Sequence, residues 1–213
     1  MRLSAYIFAW ILLVARVALA GELQAKPLQW PTSSGITLSY SVATVPFDGA
    51  EFQIGTIAFE GGAWETTLPA TWIRRPGSAR FPLVFAPRSN LPVSMGIACF
   101  ESEQFLSTID DAEWDRYLAG LQAEHGESFE ILEQASATIA GSKWVPVLGS
   151  KTRMVTFRHL VAPDRYEAEI QLFAFLGNRL AVFVLYGPEK SVQANTGLFL
   201  GSLREFNVKR SKP

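Results

Sequence analysis

The longest alternating apolar runs lie in the last third of the chain, from Thr152 to about Phe206. Tyr166 to Leu176 and Leu180 to Tyr186 predict two strands, and Gly177-Asn178 between them predicts a two-residue hairpin turn, since both residue types tolerate positive φ. That turn sets Phe175 opposite Leu180, Phe173 opposite Val182, Leu172 opposite Phe183 and Ile170 opposite Leu185. A preceding strand from Thr152 joins through Ala162-Pro163-Asp164-Arg165. A two- or four-residue loop there places Phe157 opposite Ile170, Arg158 opposite Glu169 and Thr156 opposite Gln171, whereas a three-residue loop flips the register.

On the first register one face carries Val155, Phe157, Ile170, Leu172, Phe183 and Leu185 and is apolar throughout. A closing helix is expected to cover it. Pro188 suits its first position, and Val192, Thr196, Phe199, Leu203 and Phe206 recur at about helical spacing, with Gly197 and Gly201 allowing close approach to the sheet. The other face divides into an apolar half (Met154, Phe173, Phe175, Leu180, Val182) and a polar half (Thr156, Arg158, Glu167, Glu169, Gln171, with Tyr186 nearby). The apolar half requires a second cover. The sequence offers one from Asp111 to His125: Asp110 as cap, Glu113 completing a capping-box pair, Trp114, Tyr117, Leu118 and Leu121 on one face, and Gly126 as stop. The expected fold class is therefore α+β, an antiparallel sheet with helices on both faces.

Further strands are predicted at Ile36 to Val45, Phe52 to Phe59 (closed by Gly61-Gly62), Phe81 to Ala86, Met95 to Phe100 and Phe129 to Ala135, with Ile139 to Val147 as a continuation. Pro27, Pro31 and the Thr32-Ser33-Ser34-Gly35 run make residues 21–35 an expected exposed leader. One globular domain is expected over 36–208, with a tail at 209–213.

Composition changes this picture at the N-terminus. Arg2, the apolar run Tyr6 to Ala15 and the small residues of Ala18-Leu19-Ala20 form a signal-peptide pattern over residues 1–20, with cleavage after Ala20. The run falls short of the ~20 residues of a membrane span. A periplasmic or secreted protein is expected, with no membrane attachment after cleavage. Cleavage removes Arg2 and Arg16 and no acid, which turns the formal charge of −1 into −3 and gives no global bias toward nucleic acid. Cys99 is the only cysteine among 213 residues, so no intramolecular disulfide forms; in Gly-Ile-Ala-Cys-Phe it reads as a buried small hydrophobe.

Arg74, Arg75, Arg80 and Arg88 lie in a stretch with no acid between Arg74 and Ala98. Ten acids and one base, Arg116, lie between Glu101 and Glu133. The arginine stretch reads as a solvated loop with core tryptophans. The acidic stretch reads as a solvated face complementary to it in charge, without EF-hand spacing. His125, in the last helical turn, reads as a helix-end cation.

At this point the order of elements resembles the Mog1/PsbP-like fold: N-terminal strands (Ile36 to Phe59), a capped amphipathic helix (Asp111 to His125), antiparallel strands (Phe129 to Tyr186) and a closing helix (Glu189 to Phe206). Leu203-Arg204-Glu205-Phe206 is similar to the closing-helix end of several exported bacterial members. The resemblance implies a binding, assembly or accessory protein without a shared active site, so no functional residue is carried over.

No phosphate loop, nucleophile elbow or metal-ligand spacing occurs. The expectation is an exported, non-enzymatic binding or accessory protein without cofactor or metal, whose partner is an unknown protein or small molecule of the envelope. Arg158, Glu167, Glu169, Gln171 and Tyr186 form its candidate binding face. One alternative is a hydrolase built on His159, Asp164, Glu167 and Glu169. Carboxylates two apart on a strand lie ~6.5–7 Å from each other, near glycosidase separations, but parity on this register turns His159 away from Glu167. Another alternative is an oligomeric envelope-interaction protein with exposed tryptophans.

Overall fold

The computed structural model describes residues 27–31, 36–47, 50–59, 62–66, 72–89, 91–107, 109–138, 151–176, 178–204 and 207–210. The signal pattern over 1–20, the predicted continuation Ile139 to Val147 and Phe206 lie outside them.

Among the described residues the fold is α+β. Strands β1 (Ser39–Phe47), β2 (Ala50–Phe59), β3 (Gly62–Thr66), β4 (Trp72–Arg75), β5 (Leu83–Pro87) and β6 (Ser94–Glu101) precede helix α1 (Asp111–His125). Then come β7 (Glu130–Thr138), β8 (Lys151–Ala162), β9 (Arg165–Leu176), β10 (Arg179–Pro188), helix α2 (Glu189–Arg204) and β11 (Asn207–Arg210). Seven strands form one antiparallel sheet in the order β4-β5-β6-β10-β9-β8-β7, and four form a second in the order β1-β2-β3-β11. The expected tail at 209–213 thus begins inside a strand, with Lys209 opposite Ala63 and Arg210 opposite Gly62.

Strand β10 sits at the centre of the large sheet, hydrogen-bonded to β6 and β9. Leu180 to Leu185 are buried without interruption, because both faces of the sheet are covered. The β9–β10 pairs are those expected from the tight turn: Phe175 with Leu180, Phe173 with Val182, Leu172 with Phe183, Ile170 with Leu185. Cys99, on β6, is fully buried, and burial pushes its thiol up to about 12.

The β8–β9 register differs from the expected one. Pro163-Asp164 makes a two-residue turn, with Asp164 at φ 58°, but Ala162 pairs with Arg165 while Leu160 pairs with Tyr166. Val161 is therefore an extra, bulged residue, and one extra residue reverses the parity of everything before it. Phe157 lies opposite Glu169, Thr156 opposite Ile170, and Arg158 opposite Ala168. Val155 and Phe157 move to the α1 face, and Met154 moves to the α2 face.

Helix α1 forms where its caps predict. Asp110 accepts from the Glu113 amide at 2.9 Å, Glu113 accepts in turn from the Ile109 amide at 3.1 Å, and Gly126 ends the helix at φ 72°. Trp114, Tyr117 and Leu121 pack on Phe157, Phe173 and Val182. Helix α2 buries Val192, Phe199 and Leu203 on the opposite face against Ile170, Leu172 and Phe183, a core shared with Ile36, Leu38 and Ile57 of the N-terminal strand region. Gly197 and Gly201 do not bring α2 close to the sheet. Both are exposed, and a Cβ at either would meet nothing within 4 Å.

The leader is not wholly exposed either. The Leu28 amide donates to the Arg116 carbonyl at 3.0 Å, and Leu28 and Trp30 are half-buried against the α1-side core. Trp30 makes edge contacts with Phe81, Phe100 and Phe105 at centroid distances of 5.6, 5.9 and 5.4 Å. Proline at both ends and a large apolar side chain between them make this segment a plug for the gap between α1 and β6.

Candidate functional site

The parity change at Val161 redistributes the candidate residues. Arg158 faces α2, where Nη1 lies 3.0 Å from Glu189 and Nη2 lies 2.7 Å from Glu130 of β7, with Tyr166 under the guanidinium at 4.7 Å. The expected Arg158–Glu169 cross-strand pair is absent. Arg158 is thus separated from Glu167, Glu169, Gln171 and Tyr186, which share the α1 face by strand alternation.

The same change brings His159 to that face, directly opposite Glu167. Its ring stacks on His125 of α1 at 4.1 Å between centroids, and His125 also stacks on Phe129 at 6.0 Å. His125 ends α1 as expected, but its ring packs between His159 and Phe129 rather than standing free at the helix end. Burial lowers its pKa from the ordinary histidine value, and the neighbouring His159 lowers it further. His125 Nε2 and His159 Nδ1 are buried with no hydrogen-bond partner among the described residues.

Beneath α1 runs a short polar chain. Tyr117 O–H donates to Gln171 Oε1, and Gln171 Nε2 donates to Glu169 Oε2 at 2.7 Å. Gln171 is fully buried, so both of its polar atoms are paired inside the core. Burial raises the Glu169 carboxyl above its usual range, opposed chiefly by Arg80, and burial likewise raises Tyr117 and Tyr186.

Arg80 is what the sequence reading missed. Its three companions Arg74, Arg75 and Arg88 are exposed, the first two on strand β4 rather than in the expected loop, but Arg80 is only partly so. A turn holds it: the Ser78 amide donates to the Phe81 carbonyl at 2.8 Å and the Phe81 amide donates to Ser78 Oγ at 3.0 Å. Its guanidinium lies 4.6 Å from the Trp30 ring centroid and 5.5 Å from that of Phe81, with Nη1 3.4 Å from Glu124 of α1. Arg80 Nε and Nη2 and Trp30 Nε1 are buried and unpartnered among the described residues. Charge complementarity between the arginine and acidic stretches was the available signal, but it could not single out Arg80.

A groove of about 380 Å³ opens here, lined by the leader (Pro27, Gln29, Trp30, Pro31), Arg80, and Gly120, Ala123 and Glu124 of α1. Among the described residues no three His, Cys, Asp or Glu side chains are placed to hold a metal ion, and no helix is long and apolar enough to cross a membrane.

The lowered His125 pKa sets a pH dependence. Below the ordinary histidine value near 6.5 the unfolded chain binds a proton that the folded His125 resists, so stability falls as pH drops through that value. The raised Glu169 carboxyl works in the opposite sense, reducing stability as pH rises through and above the ordinary carboxylate range. Comparing wild type with His125→Gln cancels the Glu169 contribution. The variant is expected to lose less Tm than wild type between pH 7 and pH 5; parallel Tm–pH curves would show that His125 is not held neutral.

No family model matches the sequence, and no curated protein matches it. Solved structures of similar fold include the cyanobacterial PsbP (CyanoP) of Synechocystis, 17% identical at TM-score 0.48 over 81% of this chain and 93% of that one. A second is LpqN, involved in cell envelope biogenesis of Mycobacterium tuberculosis, 11% identical at TM-score 0.47 over 81% and 91%. A third is the protein Mog1, 13% identical at TM-score 0.42 over 78% and 95%. The chain's own elements run as N-terminal strands, a capped helix, an antiparallel run of strands and a closing helix, the α+β order expected from the sequence.

Proposed function

We propose that the chain is an exported, non-enzymatic accessory protein that binds a small molecule in the groove between the leader, α1 and Arg80. The observation that carries this reading is the coincidence of a groove with buried N–H donors that have no partner among the described residues. A buried donor without an acceptor is costly, so such groups gather where a ligand supplies one. Export rests on the apolar run Tyr6 to Ala15 and the small residues at Ala18 and Ala20.

The test is protein-observed NMR of the mature chain against a library of small polar compounds. Binders are expected to shift Gly120, Ala123 and the Trp30 indole and to be recovered chemically unchanged. Shifts confined to other surfaces, or conversion of the bound compound, would overturn the reading.

A second reading has one observation behind it. His159 and Glu167 are cross-strand partners, which the expected register forbade. A hydrolase using that pair, with Glu169 beside it, requires turnover that Glu167→Gln abolishes. A broad hydrolase screen with no activity in wild type removes it.

A further inference from the structure

The chain has two histidines, His125 on α1 and His159 on β8, and the fold stacks one on the other at 4.1 Å between ring centroids. We propose that this pair is an acid-sensitive latch: stacked and neutral, it holds the C-terminal end of α1 against β8, and protonation releases that end while the rest of the sheet stays closed. The latch does not depend on what the groove binds.

The end of α1 is fastened separately from its middle. Trp114, Tyr117 and Leu121 anchor the middle in the α1-side core. Beyond them, the His125 and Phe129 rings lie 5.4 and 5.1 Å from that of Phe157 on β8, beside the contact of His125 with His159. A hydrogen bond crosses from β8 as well: the Leu160 amide donates to Ser128 Oγ at 3.2 Å. Ala123 and Glu124, which line the groove, directly precede His125, so release of this end loosens one wall of the groove.

Protonation works against this packing. His125 Nε2 and His159 Nδ1 are buried with no hydrogen-bond partner among the described residues. A protonated imidazole is a donor at both nitrogens, so a proton on either ring puts a charged N–H where no acceptor stands. Two cations stacked so closely also repel. Around the pair, Glu124 of α1 and Glu169 of β9 favour a cation, Glu167 lies opposite His159, and Arg80 of the Ser78–Phe81 turn opposes a cation. Glu127, in the turn after α1, is exposed. At His125, burial and the second ring outweigh Glu124. Once released into water the ring binds a proton more readily than in the stack, so the released form gains as pH falls through the ordinary histidine range.

The experiment follows the two histidine ring Cε1–H signals and the exchange protection of backbone amides in the labelled mature chain by NMR, between about pH 7.5 and pH 5. Both ring signals report on the latch, since the chain has no other histidine. The rings are expected to titrate as a coupled pair, so that His159→Phe raises the His125 midpoint. The Leu160 amide is expected to lose protection at least about fivefold over that range, after correction for intrinsic exchange, while Val182 and Val184 of β10 keep theirs. The double variant His125→Phe/His159→Phe keeps two stacked rings and removes both proton sites. Its Leu160 protection is expected to stay constant with pH; should it fail to fold, the wild-type measurement alone decides.

Constant Leu160 protection in the wild type would overturn the latch. So would an equal loss at Val182 and Val184, which would mean that acid loosens the whole fold, or a His125 midpoint that His159→Phe leaves unchanged. A loss that persists in the folded double variant would overturn it too, and would assign the effect to the neighbouring carboxylates.

Discussion

Phe173→Ala is expected to destabilise the protein by about 3–5 kcal/mol, the range for removing a fully buried aromatic ring. Phe173 is fully buried at the point where both covers of the α1 face meet. Its ring lies 5.4 Å from Trp114 and 5.0 Å from Tyr117 of α1, and 6.2 Å from Trp30 of the leader and Phe105. A domain's whole stability is about 5–15 kcal/mol, so the loss is a large share of it. Collapse of the cavity is limited because the surrounding rings hang on a capped helix and a hydrogen-bonded sheet. Urea unfolding followed by circular dichroism measures it. A loss under about 1 kcal/mol would mean that Trp30 or Trp114 swings into the space and that this face is not close-packed.

Gly120→Ala separates two opposing effects. In an exposed helix interior, alanine stabilises relative to glycine by about 1 kcal/mol. Here a Cβ at position 120 would lie 2.0 Å from the Leu28 carbonyl oxygen, which is backbone and has no rotamer to escape into. The leader must lift. It then loses the Leu28–Arg116 hydrogen bond, about 0.5–1.5 kcal/mol net. It also loses the packing of Trp30 on Phe81, Phe100 and Phe105, for which about 3–5 kcal/mol for a fully buried Trp is an upper limit. The packing loss outweighs the helix gain, and a net destabilisation of about 1–3 kcal/mol is expected.

Two further readouts should accompany it: faster proteolysis within the leader, and loss of the groove resonances. In a variant lacking residues 21–31 the substitution should cost nothing further and should recover its helix gain, because the clash is gone. A Gly120→Ala protein more stable than wild type would show that the leader does not rest on α1.

Much of the fold was legible because local rules decided it. The Asp110–Glu113 capping pair, the apolar stripe of Trp114, Tyr117 and Leu121, and the Gly126 stop belong to neighbouring residues, and α1 formed as they require. The β9–β10 pairs were likewise legible, since a two-residue loop of the kind predicted between Leu176 and Arg179 leaves one register. The faces were legible in part. Glu167, Glu169, Gln171 and Tyr186 share one side of the sheet as expected, Arg158 lies on the other and His159 joins them, but none of these residues lines the groove, which Arg80, the leader and α1 form.

The chain's order of hydrophobic and polar positions thus determined by itself the α+β class, the central hairpin, the capped helix and the need for a cover on each face of the sheet. Only the tertiary structure decided which residues of β8 face which cover, because a single bulged residue, Val161, reverses a period-two pattern and nothing in Leu160-Val161-Ala162 announces it. It also decided that the leader docks. Leu28 and Trp30 find their partners at Arg116 and at Phe81, Phe100 and Phe105, more than 45 residues away along the chain, where no local rule reaches. That same docking sets Arg80 against an aromatic ring, so the groove and its unpaired donors exist only once the chain has closed on itself.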